Sequence, residues 1–391
     1  MIDATDRIPF NRPHLTGFEF AALAEAAANG HLSGNGAFAQ RCAAWLNEEL
    51  SAPASFIVPS CTAALEMAML LAEIGPGDEV IMPSFTFVSC ANAVALRGGV
   101  PVFADIRPDT LNLSPEAVEA AMTERTKAVI VVHYAGVGAE VEALAELCAR
   151  RGVMLVEDAA HAVRASRGGR PLGSFAAVSA FSFHETKNLH CGEGGALVVN
   201  DPALVDQAHV LQEKGTNRRR FLDGHVDKYT WVDVGSSFLM SDVSAAFLWS
   251  QMQHAQRITQ RRLAVWQHYQ ESFADLEADG LLQRPVVPDG CEHNAHLYAL
   301  RLPDRAARDR FIAELGSQNV QSVFHYVPLH DSPAGLRLGR VGGPLDVTVR
   351  EAGRVARLPV WVDLTHAQVE RVVRAVQQAV AAPRFGQRVT R

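Results

Sequence analysis

One amine stands out for the chemistry its position allows. Lys187 lies in the run SAFSFHETKNLHCGEGG (179–195), in a polar turn between Thr186 and Asn188. An apolar run at 176–183, read as a buried strand, empties into that turn, and a glycine-rich return leads to a second apolar run at 196–199. A lysine becomes a nucleophile toward an aldehyde when burial or a neighbouring cation lowers its pKa, and the turn after a strand is where such a side chain meets a ligand. Lys187 is therefore read as a Schiff-base lysine. A single lysine is as a rule a solvated surface amine, so this reading depends on what else the chain places around it.

The elements that must position it come in strict alternation. Short apolar runs at 56–58, 79–82, 100–104, 128–132 and 153–156 are separated by helical spacing at 62–73, 87–96, 114–122 and 140–151. Strand and helix in that order predict an α/β fold with a largely parallel central sheet covered on both faces. Ser114-Pro115-Glu116 reads as an N-cap with proline at the first helical position, and Gly75-Pro76-Gly77-Asp78 as a turn. Upstream, Thr16 and Glu19 stand in capping-box spacing before a helix at 18–29, which Gly30 ends. The run SGNGAFA (33–39) formally matches a dinucleotide fingerprint, but a helix and not a strand precedes it, so it reads as a loop leading into the helix 38–50.

Downstream come a capped helix at 201–212, a polar loop at 213–231 and a stretch free of Pro and Gly at 240–279, read as helix. A strand at 296–302, a helix at 304–315, a strand at 320–324 and a helix at 365–381, opened by Thr365 and Gln368, complete a smaller α+β unit. The expected division is a large domain with its N-terminal segment at 1–252 and a small C-terminal domain at 253–391. Met1 to Arg7 reads as a polar tail.

In an open parallel sheet ligands sit beyond the carboxyl ends of the strands. After 56–58 come Ser60, Cys61 and Thr62 and a strong helix, whose free N–H groups and hydroxyls suit a phosphate. After 153–156 comes Asp158, a carboxylate costly to bury unless something positive meets it, such as a protonated pyridine nitrogen. His161 follows closely enough to lie against one face of such a ring, and Phe87, after 79–82, stacks on the other. Ser182 donates to the same phosphate. These positions each address a different part of one molecule, pyridoxal 5′-phosphate, with its pyridoxamine form as intermediate.

Composition narrows the rest. The chain has 391 residues, 20% charged, with formal net charge −7 and pI near 6.1, which argues against a nucleic-acid surface. No apolar stretch is long enough to span a membrane, and no secretory leader is visible, so a cytoplasmic protein is expected. Six scattered cysteines without a CxxC pair signal neither zinc nor a disulfide framework; no metal is expected.

The segments PSCTAALEMA (59–68), MPSFTFVSCANAV (82–94), VVHYAG (131–136), VEDAAH (156–161), FSFHETKN (181–188) with GEGG (192–195), EKGTNR (213–218), DKYTW (227–231), NAHLYAL (294–300) and FHYVPLH (324–330) resemble the sugar-nucleotide aminotransferases of the DegT/DnrJ/EryC1/StrS family. Within it, FSFHETKN, EKGTNR and DKYTW are most similar to dTDP-4-keto-6-deoxyglucose 4-aminotransferases. The resemblance implies a fold-type I enzyme, a homodimer with shared active sites, L-glutamate as amino donor, a nucleotide-sugar acceptor and Lys187 as the cofactor's covalent anchor. Two positions depart from the pattern. His161 stands where many relatives carry Gln, and Ser237-Phe238-Leu239 replaces an Asn-Tyr-Arg run that reaches the partner's phosphate, leaving Ser237 as the donor there. Lys214, Asn217, Arg218, His325 and Tyr326 are the expected nucleotide and sugar contacts, arginine and lysine suiting a diphosphate. The alternatives are a 3-keto-sugar aminotransferase, a regulatory member of the family, or a dehydratase, whose histidine in place of the lysine counts against it here.

Overall fold

The computed structural model describes residues 7–381, so the tail read at 1–7 lies, apart from Arg7, outside the described residues. Runs such as AVIVV leave no polar face to alternate with, and they form strands buried on both sides. The strands of the main sheet and of a second sheet are, in chain order, β1 (Ala54–Val58), β2 (Glu79–Pro83), β3 (Val100–Ala104), β4 (Thr126–Val132), β5 (Met154–Asp158), β6 (Val178–Ser182), β7 (Gly195–Val199), β8 (Tyr298–Arg301), β9 (Val323–Phe324), β10 (Arg340–Val341) and β11 (Val355–Leu358). The main sheet has eight strands in the order β1-β7-β6-β5-β4-β2-β3-β10. Its neighbours run parallel except β7, which is antiparallel to both β1 and β6.

Side chains alternate across this sheet with period two. Val80, Met82 and Ile130 pack under the helices Cys61–Leu71 and Val88–Ala95, while Ile81, Val129 and Val131 face Pro115–Ala121 and Val141–Arg151. The carboxyl ends of β1, β2, β4, β5 and β6 therefore share one edge. Gly34 and Gly36 serve close packing: a Cβ on Gly36 would stand 2.3 Å from Asp242 Cγ. The Asp242 carboxylate instead accepts from the N–H groups of Phe38 and Ala39 and caps the helix Ala37–Leu50.

A second, three-stranded antiparallel sheet, β8-β11-β9, packs with the helices Arg305–Ser317 and His366–Ala381 around Tyr298, Phe311, Leu358 and Val372. Ile8 joins that core and bridges to Val320, so the N-terminal segment lies against the C-terminal third. In the other direction, β10 leaves that third and adds to the main sheet beside β3.

Three expectations are corrected. The stretch 240–279 is three helices, Asp242–Gln253, Ala255–Ser272 and Ala274–Ala278, broken at His254 and Phe273. No Gly or Pro marks either break; His254 folds its ring back to the Ser250 carbonyl, and Phe273 turns inward to full burial. The loop 213–231 contains a short helix, Arg218–Leu222, and the strand expected at 320–324 is reduced to its last two residues. Among the described residues no helix is long and apolar enough to cross a membrane, and no group of His, Cys, Asp and Glu is arranged to hold a metal.

Candidate active site

Lys187 is presented by the connection between β6 and β7. That connection is closed by backbone bonds from Cys191 to Phe183 and from Glu185 to Gly192, and the Lys187 N–H donates to the His184 carbonyl. The next residue locks it to the C-terminal third. Asn188 donates from Nδ2 to the Asn294 carbonyl at 2.8 Å and accepts from His296 Nδ1 at 3.0 Å. The lysine faces a cavity of about 690 Å3 at the shared strand edge. Burial holds its amine below the ordinary lysine range; Cys61 and Asp158 oppose the shift, and Arg357 adds to it.

Across the cavity, Asp158 ends β5 and is 6% exposed. Its Oδ1 accepts from the Ala160 N–H at 3.0 Å and its Oδ2 from the Cys90 thiol at 3.1 Å. No lysine, arginine or histidine forms an ion pair with it among the described residues. A buried carboxylate so placed fits a positively charged N–H supplied by a bound ring. His161 accepts from the Ala135 N–H at Nδ1 and stacks on His296, centroids 4.1 Å apart, and burial pushes its pKa well below the ordinary range. It is a neutral, braced ring. Phe87 is 57% exposed and lines the cavity, which excludes the reading of it as core.

The opposite pole is the start of the helix Cys61–Leu71. Ser60 is its N-cap, its Oγ accepting from the Ala63 N–H at 3.1 Å, and the N–H groups of Cys61 and Thr62 have no intrahelical partner. Ser182 pairs in register with Gly195, where a Cβ would lie 2.4 Å from Cys61 N. Only glycine lets β7 approach that turn. The result is a cradle of N–H groups and the hydroxyls of Ser60, Thr62 and Ser182, suited to a phosphate.

Ser60, Cys61, Thr62, Phe87, Asp158, His161, Ser182 and Lys187 thus line one cavity, together with His325 and Tyr326. His325 lies 3.1 Å from the Tyr134 hydroxyl, and burial lowers its pKa. Lys214, Asn217, Arg218 and Ser237 lie elsewhere. Lys214 and Arg218 approach Glu213 at 3.9 and 3.4 Å, Asn217 accepts from the Thr230 N–H, and exposed Ser237 bridges to Glu213. Sequence reasoning missed Phe10, Asn11, Arg262, His296 and Arg357 in the cavity wall. His296 was legible inside NAHLYAL; the other four follow no strand of the main sheet.

The sheet order, the lysine on a strand connection and the opposed carboxylate and phosphate cradle are those of fold-type I pyridoxal phosphate enzymes. The chain belongs to the DegT/DnrJ/EryC1/StrS aminotransferase family, whose model matches residues 13–377. The aminotransferase TlmJ from Streptoalloteichus hindustanus is 34% identical, with a TM-score of 0.88 over 96% of this chain and 99% of that one. DesV from S. venezuelae, solved with a ketimine intermediate, is 31% identical, with a TM-score of 0.87 over 97% and 100%. Spr1654 from Streptococcus pneumoniae, assigned as a sugar aminotransferase and solved in a PMP form, is 25% identical, with a TM-score of 0.86 over 96% and 98%. The cofactor is pyridoxal phosphate, and the cavity residues fit it.

Proposed function

We propose that the protein moves the amino group of L-glutamate to the 4-keto carbon of dTDP-4-keto-6-deoxy-D-glucose, giving 2-oxoglutarate and a dTDP-4-amino-4,6-dideoxyhexose for deoxyamino-sugar synthesis. The observation that carries amino transfer is Asp158, a buried carboxylate in no ion pair among the described residues, lining the same cavity as Lys187, whose amine burial holds below the ordinary lysine range. Bound pyridoxal phosphate supplies an aldehyde and a ring that draws electrons from the carbon beside the transferred nitrogen. Asp158 would hold a proton on that ring's nitrogen, and His161 and Phe87, which line the same cavity, would hold the ring. Lys187 would be the amine that holds the cofactor's aldehyde, and its free amine would move a proton at the donor's Cα and deliver one to C4 of the acceptor.

The sugar assignment is supported by the likeness of FSFHETKN, EKGTNR and DKYTW to 4-aminotransferases and by the S. pneumoniae relative. We read the exposed loop 213–237 as the part that a second copy uses, with Ser237 reaching the partner's phosphate and Lys214, Asn217 and Arg218 meeting the nucleotide. The test is incubation with dTDP-4-keto-6-deoxyglucose and L-glutamate, followed by NMR of the sugar. An amine at C4 is expected, and the H4 couplings then give its configuration. Unchanged 4-ketone alongside full amination of a 3-keto isomer would sink the acceptor assignment and leave the cofactor chemistry standing.

A further inference from the structure

Among the described residues two donors hold the Asp158 carboxylate, and they come from different elements. The Ala160 N–H, two residues on, bonds Oδ1 at 3.0 Å; the Cys90 thiol, from the helix Val88–Ala95, bonds Oδ2 at 3.1 Å. The terminal torsion of an aspartate is broad and two-fold, so a single bond leaves the carboxylate plane free to swing. Two bonds to opposite oxygens fix it. Cys90 is itself held: its backbone N–H donates to the Phe87 carbonyl at 3.3 Å, and its sulfur lies 3.5 Å from the Thr86 hydroxyl. The turn of chain that brings Thr86 and Phe87 to the cavity therefore also reaches Asp158 from the core side, where Cys90 is fully buried in one cluster with Met82, Val132 and Val156.

A buried cysteine is as a rule a small apolar filler, and a filler meets carbon. Here the sulfur meets a carboxylate that forms no ion pair. Burial, and after it the charge of Asp158, push the thiol's pKa up, so it keeps the proton that it donates. The kind of donor matters. A hydroxyl or an ammonium would draw more of the carboxylate's charge toward itself, whereas S–H is a weak donor. A weak bond is enough to orient, and it leaves the charge for what meets the carboxylate from the cavity.

We propose that Cys90 is a positioning residue, its thiol fixing the plane of the Asp158 carboxylate so that an oxygen faces the ring nitrogen of the bound cofactor. This rests on the reading of Asp158 as the partner of that nitrogen. Cys90 is not among the residues that line the cavity, so it acts through Asp158.

Two readouts that need no turnover test this in wild type, Cys90→Ala and Cys90→Ser. NMR of an isotope-labelled ring nitrogen in bound pyridoxal phosphate, at one neutral pH, reports how fully that nitrogen is protonated. Calorimetry with pyridoxamine phosphate, which has no aldehyde for Lys187 to hold, reports the non-covalent affinity. In Cys90→Ala the resonance moves toward that of a neutral pyridine and the dissociation constant rises about 2- to 10-fold, the loss of one hydrogen bond. Cys90→Ser keeps a donor and recovers part of both. A resonance equal to wild type in Cys90→Ala, whatever happens to stability in urea, would make Cys90 a packing residue and overturn the assignment. Movement toward fuller protonation would overturn it too, since the thiol would then only draw charge from Asp158. A third readout keeps the test open should the Cys90 variants fail to fold: the infrared S–H stretch of the loaded protein contains a band lowered by donation to a carboxylate, and Asp158→Asn raises it. No such change would remove the contact on which the proposal stands. A ring nitrogen that Asp158→Asn leaves as in wild type would instead strike the role of Asp158, and this assignment with it, while the infrared comparison still judges the thiol.

Discussion

Lys187, which we read as the reacting amine, is largely removed from water, and that carries a cost when the cofactor is absent. Its folded-state pKa is lowered, so the unfolded chain holds the proton more tightly than the native one. Below the folded value both states carry it and the burial penalty is full; as pH rises toward the unfolded value, about 10.4, the penalty fades. Lys187→Met is therefore expected to stabilise the apoprotein at neutral pH, by a margin that shrinks with rising pH in denaturant titrations. The same variant gives no borohydride-stable cofactor adduct by mass spectrometry. A native chain without such an adduct would remove the basis of the proposed chemistry. Ser60, Asp158 and His161, each read from its place after an apolar run, come together in one cavity at the shared strand edge. Phe87, whose type also suits a core, was chosen by its place after a strand, and its exposure excludes the core reading. Arg357 was invisible: VARLP shows no period-two pattern, so nothing in the sequence marked a strand there or a cavity beside it.

Among the elements, β10 shows what periodicity cannot reveal. Two residues cannot display an alternation, yet Arg340–Val341 extends the main sheet, and it does so through charge. Arg340 forks Glu79 at the start of β2, at 2.9 and 2.6 Å, while Arg125 and Thr123 bond the same carboxylate. The Arg340 hydrogen bond, with help from Thr123 and Arg125, holds the Glu79 pKa at about 2 against an ordinary 4.5. A depressed carboxylate contributes stability above its unfolded pKa and loses it as pH falls toward the folded value. Glu79→Gln should cost about 1.5–3 kcal/mol at neutral pH. In urea titrations the difference from wild type should narrow on approaching about pH 3. A gap independent of pH would mean that packing, and not charge, holds this edge. The long helix expected at 240–279 failed in the opposite sense: its composition favours helix throughout, and tertiary burial of Phe273 overrides it.

At the scale of the whole molecule, large apolar side chains stand in water on the described chain. Trp231 is 76% exposed and Phe20 75%, with Tyr229, Val232 and Val234 also exposed on the loop beside Trp231. A group of this kind marks an association surface. Sedimentation is expected to give twice the chain mass of 42.3 kDa, and Trp231→Asp to weaken the pair. A monomer at every concentration would rule out a shared site. The sequence named these residues without saying that they would be uncovered, since exposure is a property of the folded surface.

Asn294 has a bearing on how the protein comes into being. Its side chain donates to the carbonyls of His161 and Val163, and its own carbonyl receives Asn188 beside Lys187. The pieces it joins lie more than a hundred positions earlier in the polypeptide. A ribosome thus finishes the cavity-facing strand ends well before it makes the keystone that sets them.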